Sequence, residues 1–408
     1  MSTATDGTPT RPPLVRDRPT WLAYLHVGLF GYFLYAFGPS IALLRDEQGY
    51  TRTVASLHGS AMAVASVVVG LLGPRVVRRA GRSRMLRLGS AILAAGLLVY
   101  TGAAPLWATL AGAFVASAGG TMIMVGVNAF LPDRHGAAGP RALSEAHGTG
   151  AALGLLGPLA LGAFVAVGWG WRPALLVTVV ALLALELARG RDLRPFDGTR
   201  GHADDPTHHQ PHGRLPRVFW LALLVFAATA GTEFCLTLWG SDLLRERAGL
   251  GEAASTAALV TIVGGMAVGR LVGAPLVSRF RPDDVLVATM VLTTAGFAVV
   301  WLSASAVPML AALCVTGLGM GLQSPLAIGR SVAAAGRQAD RGAGLTSVAA
   351  GAASGIAPFA LAALADHVGV RPAFLLVPAL MLVAIALVRG APVPPVAAPS
   401  PPEPVTTG

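Results

Sequence analysis

One acidic residue lies deep inside a long apolar stretch of this sequence. The stretch is LALLVFAATAGTEFCLTLWG, residues 221–240, and Glu233 is its only carboxylate. If the stretch crosses a membrane, an ionised side chain at this depth costs about 2.5–3.5 kcal/mol on insertion scales. A carboxyl group that faces a wet cavity can instead cycle between its neutral and ionised forms, which is what a proton-coupling site requires. The alternative is a permanently protonated Glu233 bonded to a nearby backbone carbonyl.

Three further ionisable residues sit in or beside apolar stretches. Arg270 is the one arginine inside the stretch 253–278, and Glu145 and His147 open the stretch 141–168. A guanidinium and a carboxylate that come together form a strong, charge-assisted hydrogen bond. These residues are therefore candidates for an ion pair that holds two helices together.

The composition of the chain indicates which elements position these side chains. The chain has 408 residues, of which 54% are hydrophobic and 12% charged, whereas a soluble domain has about 25% charged residues. Its two cysteines, Cys235 and Cys314, form neither a metal-binding spacing nor a disulfide framework. The sequence therefore predicts a membrane protein without a cofactor or a metal site.

Apolar runs follow one another along the chain, each close to the roughly 20 residues that a membrane-spanning helix needs. They predict an all-α membrane protein with twelve transmembrane helices. We number the runs as spans one to twelve, and they cover residues 20–44, 53–76, 84–103, 105–131, 141–168, 171–189, 216–240, 253–278, 283–304, 306–330, 342–365 and 370–389.

A polar segment between spans six and seven divides the chain into two groups of six spans. It reads GRDLRPFDGTRGHADDPTHHQPHGRLPR and is rich in turn-forming residues. The predicted order is a disordered cytoplasmic N-terminal tail, a six-helix bundle, a cytoplasmic linker, a second six-helix bundle and a disordered Pro-rich C-terminal tail. These parts cover residues 1–19, 20–190, 191–215, 216–390 and 391–408.

The arginines predict the orientation of the chain. All 30 basic residues are arginine. With a cytoplasmic N-terminus, the inner loops and tails hold 23 of them and the outer loops hold six, as the positive-inside rule requires. Both termini are therefore predicted to be cytoplasmic, in the inner (cytoplasmic) membrane. This placement explains the net charge of +10 through contact with lipids, without nucleic acid, and we expect a monomer.

The two groups of spans are related by an internal repeat. At an offset of about 200 residues, 43–45 (Leu-Leu-Arg) falls on 243–245, and Pro158 falls on Pro358. Each group has an even number of spans, so both enter the membrane in the same sense. The two bundles are therefore predicted to be pseudo-symmetric about an axis along the membrane normal.

The spans, the repeat and one basic loop together resemble the major facilitator superfamily. The loop, RVVRRAGRSRMLR at 75–87, follows span two, where the family pattern contains Asp-Arg-x-Gly-Arg-Arg/Lys. Arg79, Gly81 and Arg82 match this pattern, whereas Arg78 stands at the Asp position. The resemblance implies that Arg79 and Arg82 act at the inner gate, although the role of the missing carboxylate is not carried over.

In this family, spans one, four, seven and ten line a central cavity. Aromatic rings in such a cavity stack on flat substrates, and amides bind hydroxyl groups. The alternatives are an interfacial aromatic belt for Trp239, and helix packing for Asn128 and Gln323. The resemblance implies substrate-binding roles for Tyr32, Tyr35, Met124, Asn128, Glu233, Trp239 and Gln323.

A narrower resemblance is to the fucose–proton symporter-like branch, which implies uptake of a sugar or a similar polar solute with a proton. The family also places spans five and eight side by side. Glu145 or His147 is therefore predicted to meet Arg270 when the carrier faces outward; the alternative is a static salt bridge. The branch resemblance rests on Asn128, Glu145, His147, Glu233, Trp239, Gly269 and Arg270.

These features predict a secondary active transporter that moves a small organic solute by alternating access, coupled to protons. Proton-driven efflux of a drug or secondary metabolite is the alternative, and a membrane sensor without transport is a third class. The sequence has no HExxH, no paired Asp-rich motif and no Gly-rich nucleotide loop. An enzyme is therefore not expected.

Overall fold

The computed structural model describes residues 14–80, 82–190 and 214–393, whose regular structure is helical. Spans one to six are the helices Arg18–Gln48, Arg52–Ala80, Arg82–Gly102, Leu106–His135, Gly139–Gly154 with Leu156–Ala166, and Arg172–Arg189. Spans seven to twelve are Arg217–Ala248, Glu252–Ala258 with Val260–Arg279, Pro282–Leu302, Ala306–Met320 with Gln323–Ala335, Ala339–Val368, and Val370–Ala373 with Leu376–Gly390.

The prediction of twelve spans in two bundles is confirmed. Within the described residues, eleven helices are long and apolar enough to cross a membrane. Span six is the exception, because its 18 residues include Arg172, Glu186 and Arg189. These three charges lie at its two ends, and the stretch between them is apolar. The predicted linker and most of both tails lie outside the described residues, so those boundaries stay predictions.

The internal repeat is visible in the backbone. Spans one and seven end at Gly49 and Gly249, which take the left-handed conformation with φ of 68° and 62°. Beyond spans four and ten, Gly136 and Gly336 have φ of 51° and 55° and begin matching 3₁₀ turns. Since only glycine adopts these φ values readily, the offset of 200 residues fixes corresponding helix ends in the two halves.

The two halves meet along three pairs of spans: one with seven, two with eleven, and five with eight. Two glycines allow this close approach. A Cβ atom on Gly162 of span five would lie 2.8 Å from the backbone oxygen of Ala253. One on Gly355 of span eleven would lie 2.7 Å from the Cβ atom of Ala63. Small residues at such positions let helix backbones pack directly against each other.

Candidate functional site

A cavity of about 640 Å³ lies between the two halves, and we call it the chamber. Spans one, two, four, seven and eleven form its wall, which is mostly apolar. At one end the wall reaches Asn128 and Ser347, whose side chains are exposed, whereas at the other it stops at the buried Ile41. The chamber is therefore open at one end only. We call the open end the Glu145 end and the closed end the Arg45 end.

Glu233 lies in the chamber wall and is the one carboxylate among its described lining residues. Its Oε2 atom accepts a hydrogen bond from Ser324 Oγ at 3.4 Å. Tyr35 of span one and Arg270 of span eight both interact electrostatically with it. The structure thus brings together Tyr35, Glu233, Arg270 and Ser324, and we call these four residues the Glu233 cluster.

The predicted substrate-binding residues divide into two groups. Tyr35, Met124, Asn128 and Glu233 line the chamber. The other three lie outside the described lining, and each has a packing partner. The Tyr32 hydroxyl donates to the Ala174 carbonyl at 2.8 Å, Gln323 Nε2 donates to Thr293 Oγ1 at 2.8 Å, and the ring of the buried Trp239 lies 5.8 Å from the Arg45 guanidinium carbon. The seven substrate-binding roles stay predictions.

Three hydroxyl groups in the chamber wall were not among the predicted site residues. Thr121 Oγ1 donates to Ser66 Oγ at 3.1 Å, and the Oγ atoms of Ser66 and Ser117 lie 3.0 Å apart. Ser117 Oγ also donates to the Met62 carbonyl at 2.9 Å. The four-residue spacing of Ser117 and Thr121 puts them on one helix face, but serine and threonine are common in apolar helices, so this signal is weak.

Ion pairs close the chamber at the Arg45 end by joining the two halves. The carboxylate of Asp242 in span seven, 3% exposed, pairs with Arg45 of span one and Arg52 of span two. Arg245 of span seven pairs in turn with Asp46 of span one at 2.5 Å. Each half thus supplies one arginine to an acid of the other half, and the two arginines, Arg45 and Arg245, are equivalent positions of the repeat, whereas the two acids are not.

A further acid at this end caps a helix of the opposite half. Asp366 of span eleven accepts hydrogen bonds from the backbone N–H groups of Arg52 and Thr53 at 3.1 and 2.8 Å. These are the first residues of span two, whose N–H groups lack partners within the helix. We call Arg45, Asp46, Arg52, Asp242, Arg245 and Asp366 the cross-half cluster.

The charge pattern of the repeat contains a sequence signal for the cross-half cluster. The segments 45–46 (Arg-Asp) and 242–245 (Asp-Leu-Leu-Arg) each combine both signs of charge at equivalent helix ends. Equivalent ends of spans one and seven must meet near the pseudo-symmetry axis. Opposite charges there can pair across the halves, in addition to serving as outer-loop charges.

The predicted gating residues lie at the Glu145 end. Glu145 pairs with Arg16 at 2.7 Å and with Arg141 at 3.2 Å, within its own half. Arg270 Nε donates to the Gly321 carbonyl at 3.2 Å, and its charge acts on the exposed His147. In this state Glu145 therefore has partners other than Arg270, and the predicted contact in the outward-facing state stays a prediction. The side chains of Arg79 and Arg82 lie outside the described part of the structure.

Ion pairs between described residues at the Glu145 end each join two residues of one half. In the N-terminal half Asp17 pairs with Arg134, and Glu186 pairs with Arg87 and Arg189. In the C-terminal half Arg330 pairs with Asp283, and Arg389 with Asp284. In the described residues no group of three or more His, Cys, Asp or Glu side chains is arranged to hold a metal ion.

The sequence was compared with family models and with curated proteins. The family model described as Major Facilitator Superfamily matches residues 23–282 and, in a second overlapping match, residues 255–407. No curated protein matches the sequence significantly.

Several solved structures share the fold at low sequence identity. A bacterial homolog to the human lysosomal transporter Spinster, inward-facing and occupied, has a TM-score of 0.77 at 13% identity, and the match covers 93% of this chain and 97% of that one. The nucleoside transporter NupG has a TM-score of 0.71 at 12% identity, and the match covers 91% of this chain and 97% of that one. The E. coli fucose:proton symporter FucP has a TM-score of 0.61 at 16% identity, and the match covers 91% of this chain and 98% of that one.

Proposed function

Because this chain belongs to the Major Facilitator Superfamily, we propose that it is a secondary active transporter that moves a small organic solute across the cytoplasmic membrane and couples this movement to protons. Three structural neighbours are a bacterial homolog of a lysosomal transporter, a nucleoside transporter and a fucose:proton symporter. They support transport as the general activity, and the last supports coupling to protons.

The observation that carries the proposal is the position of Glu233 in the wall of the chamber. When the carboxyl group is neutral, it can donate a hydrogen bond to a substrate or to a hydroxyl such as that of Ser324. When it is ionised, Arg270 supplies a compensating charge and Tyr35 a hydroxyl donor. Both protonation states thus have suitable partners, as a group that loads and releases a proton requires.

Alternating access is supported by the difference between the two ends of the chamber. We assign the Arg45 end to the outside and the Glu145 end to the cytoplasm, following the distribution of arginines along the sequence. The state described here then faces inward. Reaching the outward-facing state requires separation of the cross-half cluster and approach of spans five and eight at the Glu145 end.

The chamber wall favours a substrate with both apolar and polar parts. Phe30, Phe37, Phe234 and Met124 offer flat or adaptable apolar surface, while Glu233 and the hydroxyl groups on spans two and four offer hydrogen bonds. A sugar taken up with protons uses the polar groups and ring stacking. The larger apolar share of the wall specifically favours a second candidate, proton-driven efflux of a hydrophobic drug or metabolite.

The test is transport by the purified protein in liposomes with an imposed pH gradient, using a panel of sugars, nucleosides and lipophilic organic cations. We expect flux of at least one substrate to depend on the gradient and to lose that dependence in Glu233→Gln. Flux in the direction of proton entry indicates symport, and flux against it indicates efflux.

A matched control is Glu252→Gln, which removes an exposed carboxylate at the Arg45 end, 3.6 Å from Arg245 and away from the chamber. It should retain coupling to the gradient. Gradient-driven flux that survives unchanged in Glu233→Gln would show that another group carries the proton. An absence of flux for every substrate in the wild type would count against transport of these classes.

A further inference from the structure

Glu145 is held by the chain segment that precedes span one. Its Oε2 and Oε1 atoms accept hydrogen bonds from Arg16 Nε at 2.8 Å and Arg16 Nη2 at 2.7 Å. Tyr24 and Arg141 donate to the same carboxylate at 3.3 and 3.2 Å. A bidentate arginine–carboxylate pair is among the stronger charge-assisted contacts. All of these partners belong to the N-terminal half.

The segment that carries Arg16, residues 14–17, is fixed to the same half, and we call it the strap. Leu14 is 8% exposed. Asp17 forms an ion pair with Arg134 at the end of span four and caps span one by accepting from the Thr20 N–H at 3.1 Å. The strap therefore moves with the N-terminal half, and Arg16 remains within reach of Glu145 in any rigid-body motion.

The contacts between spans five and eight show where Arg270 goes when these helices close. The two helices run antiparallel, with Gly162 against Ala253 and Leu155 near Gly264. Continuing this register toward the Glu145 end places Arg270 level with residues 147–149. Since an α-helix has 3.6 residues per turn, Glu145 then lies within about one turn of Arg270.

Arg270 is already close to this region in the open state. Its charge acts on both His147 and Glu233, so it lies between the chamber and the Glu145 end. Its guanidinium donates to the Gly321 carbonyl, a contact within its own half. The carboxylate that it would meet on closure is occupied by Arg16.

We propose that Arg16 and Arg270 compete for Glu145, and that Arg16 is a positioning residue which stabilises the state open at the Glu145 end. In the open state Arg16 holds the carboxylate within the N-terminal half. On closure Glu145 turns from Arg16 to Arg270 and joins the two halves. Release of Glu145 from Arg16 needs rotation of side chains only, because both belong to one rigid body, whereas Arg270 approaches as the two halves close. This proposal rests on the alternating access proposed above.

The experiment measures opening of the Glu145 end directly, without transport. Spin labels are placed on Leu72→Cys of span two and Ser347→Cys of span eleven, with Cys235 and Cys314 replaced by alanine, in the full chain reconstituted in lipid. Distances measured by electron paramagnetic resonance give the open and closed populations. We expect Arg16→Gln to lower the ratio of open to closed by about two- to fivefold, the range of one exposed ion pair.

Two variants separate competition for Glu145 from a general loss of charge. In a Glu145→Gln background, Arg16→Gln should have no further effect on the distances. Arg389→Gln removes an exposed arginine that pairs with Asp284 at 3.0 Å in the other half, and it should leave the ratio unchanged.

The following results would contradict the proposal. An unchanged or increased open fraction in Arg16→Gln would overturn it, as would the same shift in the Glu145→Gln background. A wild type with one distance under all pH and substrate conditions would overturn alternating access as well. Two wild-type populations with no response to Arg16→Gln would overturn the competition alone.

Discussion

The two ends of the chamber pair their charged side chains differently. At the Arg45 end, Asp242 joins span seven to spans one and two, and Arg245 joins it to Asp46. At the Glu145 end, Glu145 pairs with Arg16 and Arg141 of its own half. The two ends thus differ in which half supplies the partner of these charges: pairs at the closed end cross between the halves, and those of Glu145 do not.

The burial of the ion pairs differs in the same way. Asp242 and Arg45 have side chains 3% and 9% exposed, whereas those of Arg16 and Glu145 are 38% and 28% exposed. Removing one partner of a buried ion pair costs far more than removing one of an exposed pair. The Arg45–Asp242 pair is therefore hard to break singly, whereas the Arg16–Glu145 pair exchanges more easily.

The largest expected effect comes from Asp242→Asn. This change removes the partner that the buried Arg45 has in the other half and leaves it with Asp46 of its own half; breaking a buried pair costs up to about 3–5 kcal/mol. We expect the Arg45 end to open, seen as a longer distance between spin labels on Thr51→Cys and Gly251→Cys.

The matched control for this change is Asp283→Asn, which removes the partner of the nearly buried Arg330 within the C-terminal half. It should lower thermal stability without changing the label distance. Equal label distances in wild type and Asp242→Asn would break the comparison between the two ends.

A smaller effect is expected where the halves touch through backbone. In Gly162→Val the added Cβ atom meets the Ala253 carbonyl at 2.8 Å, and such overpacking costs about 1–3 kcal/mol. We expect a shift away from the present state, measured with the same pair of labels at the Arg45 end. Gly329→Val in span ten is the control, since a Cβ atom there meets nothing within 4 Å; a similar shift in both variants would contradict the role of close packing.

At the Glu145 end, Asp17→Asn should lower stability, because it removes the ion pair between Asp17 and Arg134. Burial works to raise the pKa of Asp17, but hydrogen bonds from Arg134 and Thr20 outweigh it and hold the pKa below its usual value. The stabilisation is therefore present at neutral pH and is lost as pH falls through this lowered pKa. Thermal unfolding should show a loss of about 0.2–1 kcal/mol, the range of one exposed ion pair, since asparagine caps a helix about as well as aspartate; an equal unfolding free energy in wild type and variant at neutral pH would contradict this.

The smallest effect concerns the equivalent arginines of the repeat. The Arg245 side chain is 29% exposed, against 9% for Arg45. Arg245→Gln should therefore change the free-energy difference between the two states, read from the populations of label distances, by no more than about 0.2–1 kcal/mol. Arg45→Gln should shift them more, because it leaves Asp242 buried with one partner fewer. An equal response in the two variants would show that burial does not rank these pairs.

The overall fold could be predicted from the sequence because the membrane imposes it. Apolar runs of fixed length must become helices there, since backbone groups have no other partners in lipid. The offset of 200 residues, carried by positions such as Pro158 and Pro358, predicted the two bundles. Span six is a single helix, but Arg172 and Arg189 mark its two ends and shorten its apolar part.

The candidate site was less predictable, because a position in a span does not fix the direction of a side chain. Tyr35 and Asn128 line the chamber, whereas Tyr32 and Gln323, on the same spans or close by, bond to neighbouring helices. Helix rotation and the contacts between halves decide this, and neither is visible in composition. The cross-half cluster was missed for the same reason, since its pairing depends on how spans one and seven meet.

The most direct test of the account measures both ends of the chamber in one preparation. Labels at residues 51 and 251 report the Arg45 end, and labels at 72 and 347 report the Glu145 end, each in lipid at several pH values and with transported substrate. The account predicts two states in which one distance lengthens as the other shortens, with Asp242→Asn shifting both in opposite directions. Distances that lengthen together, or that do not change under any condition, would contradict it.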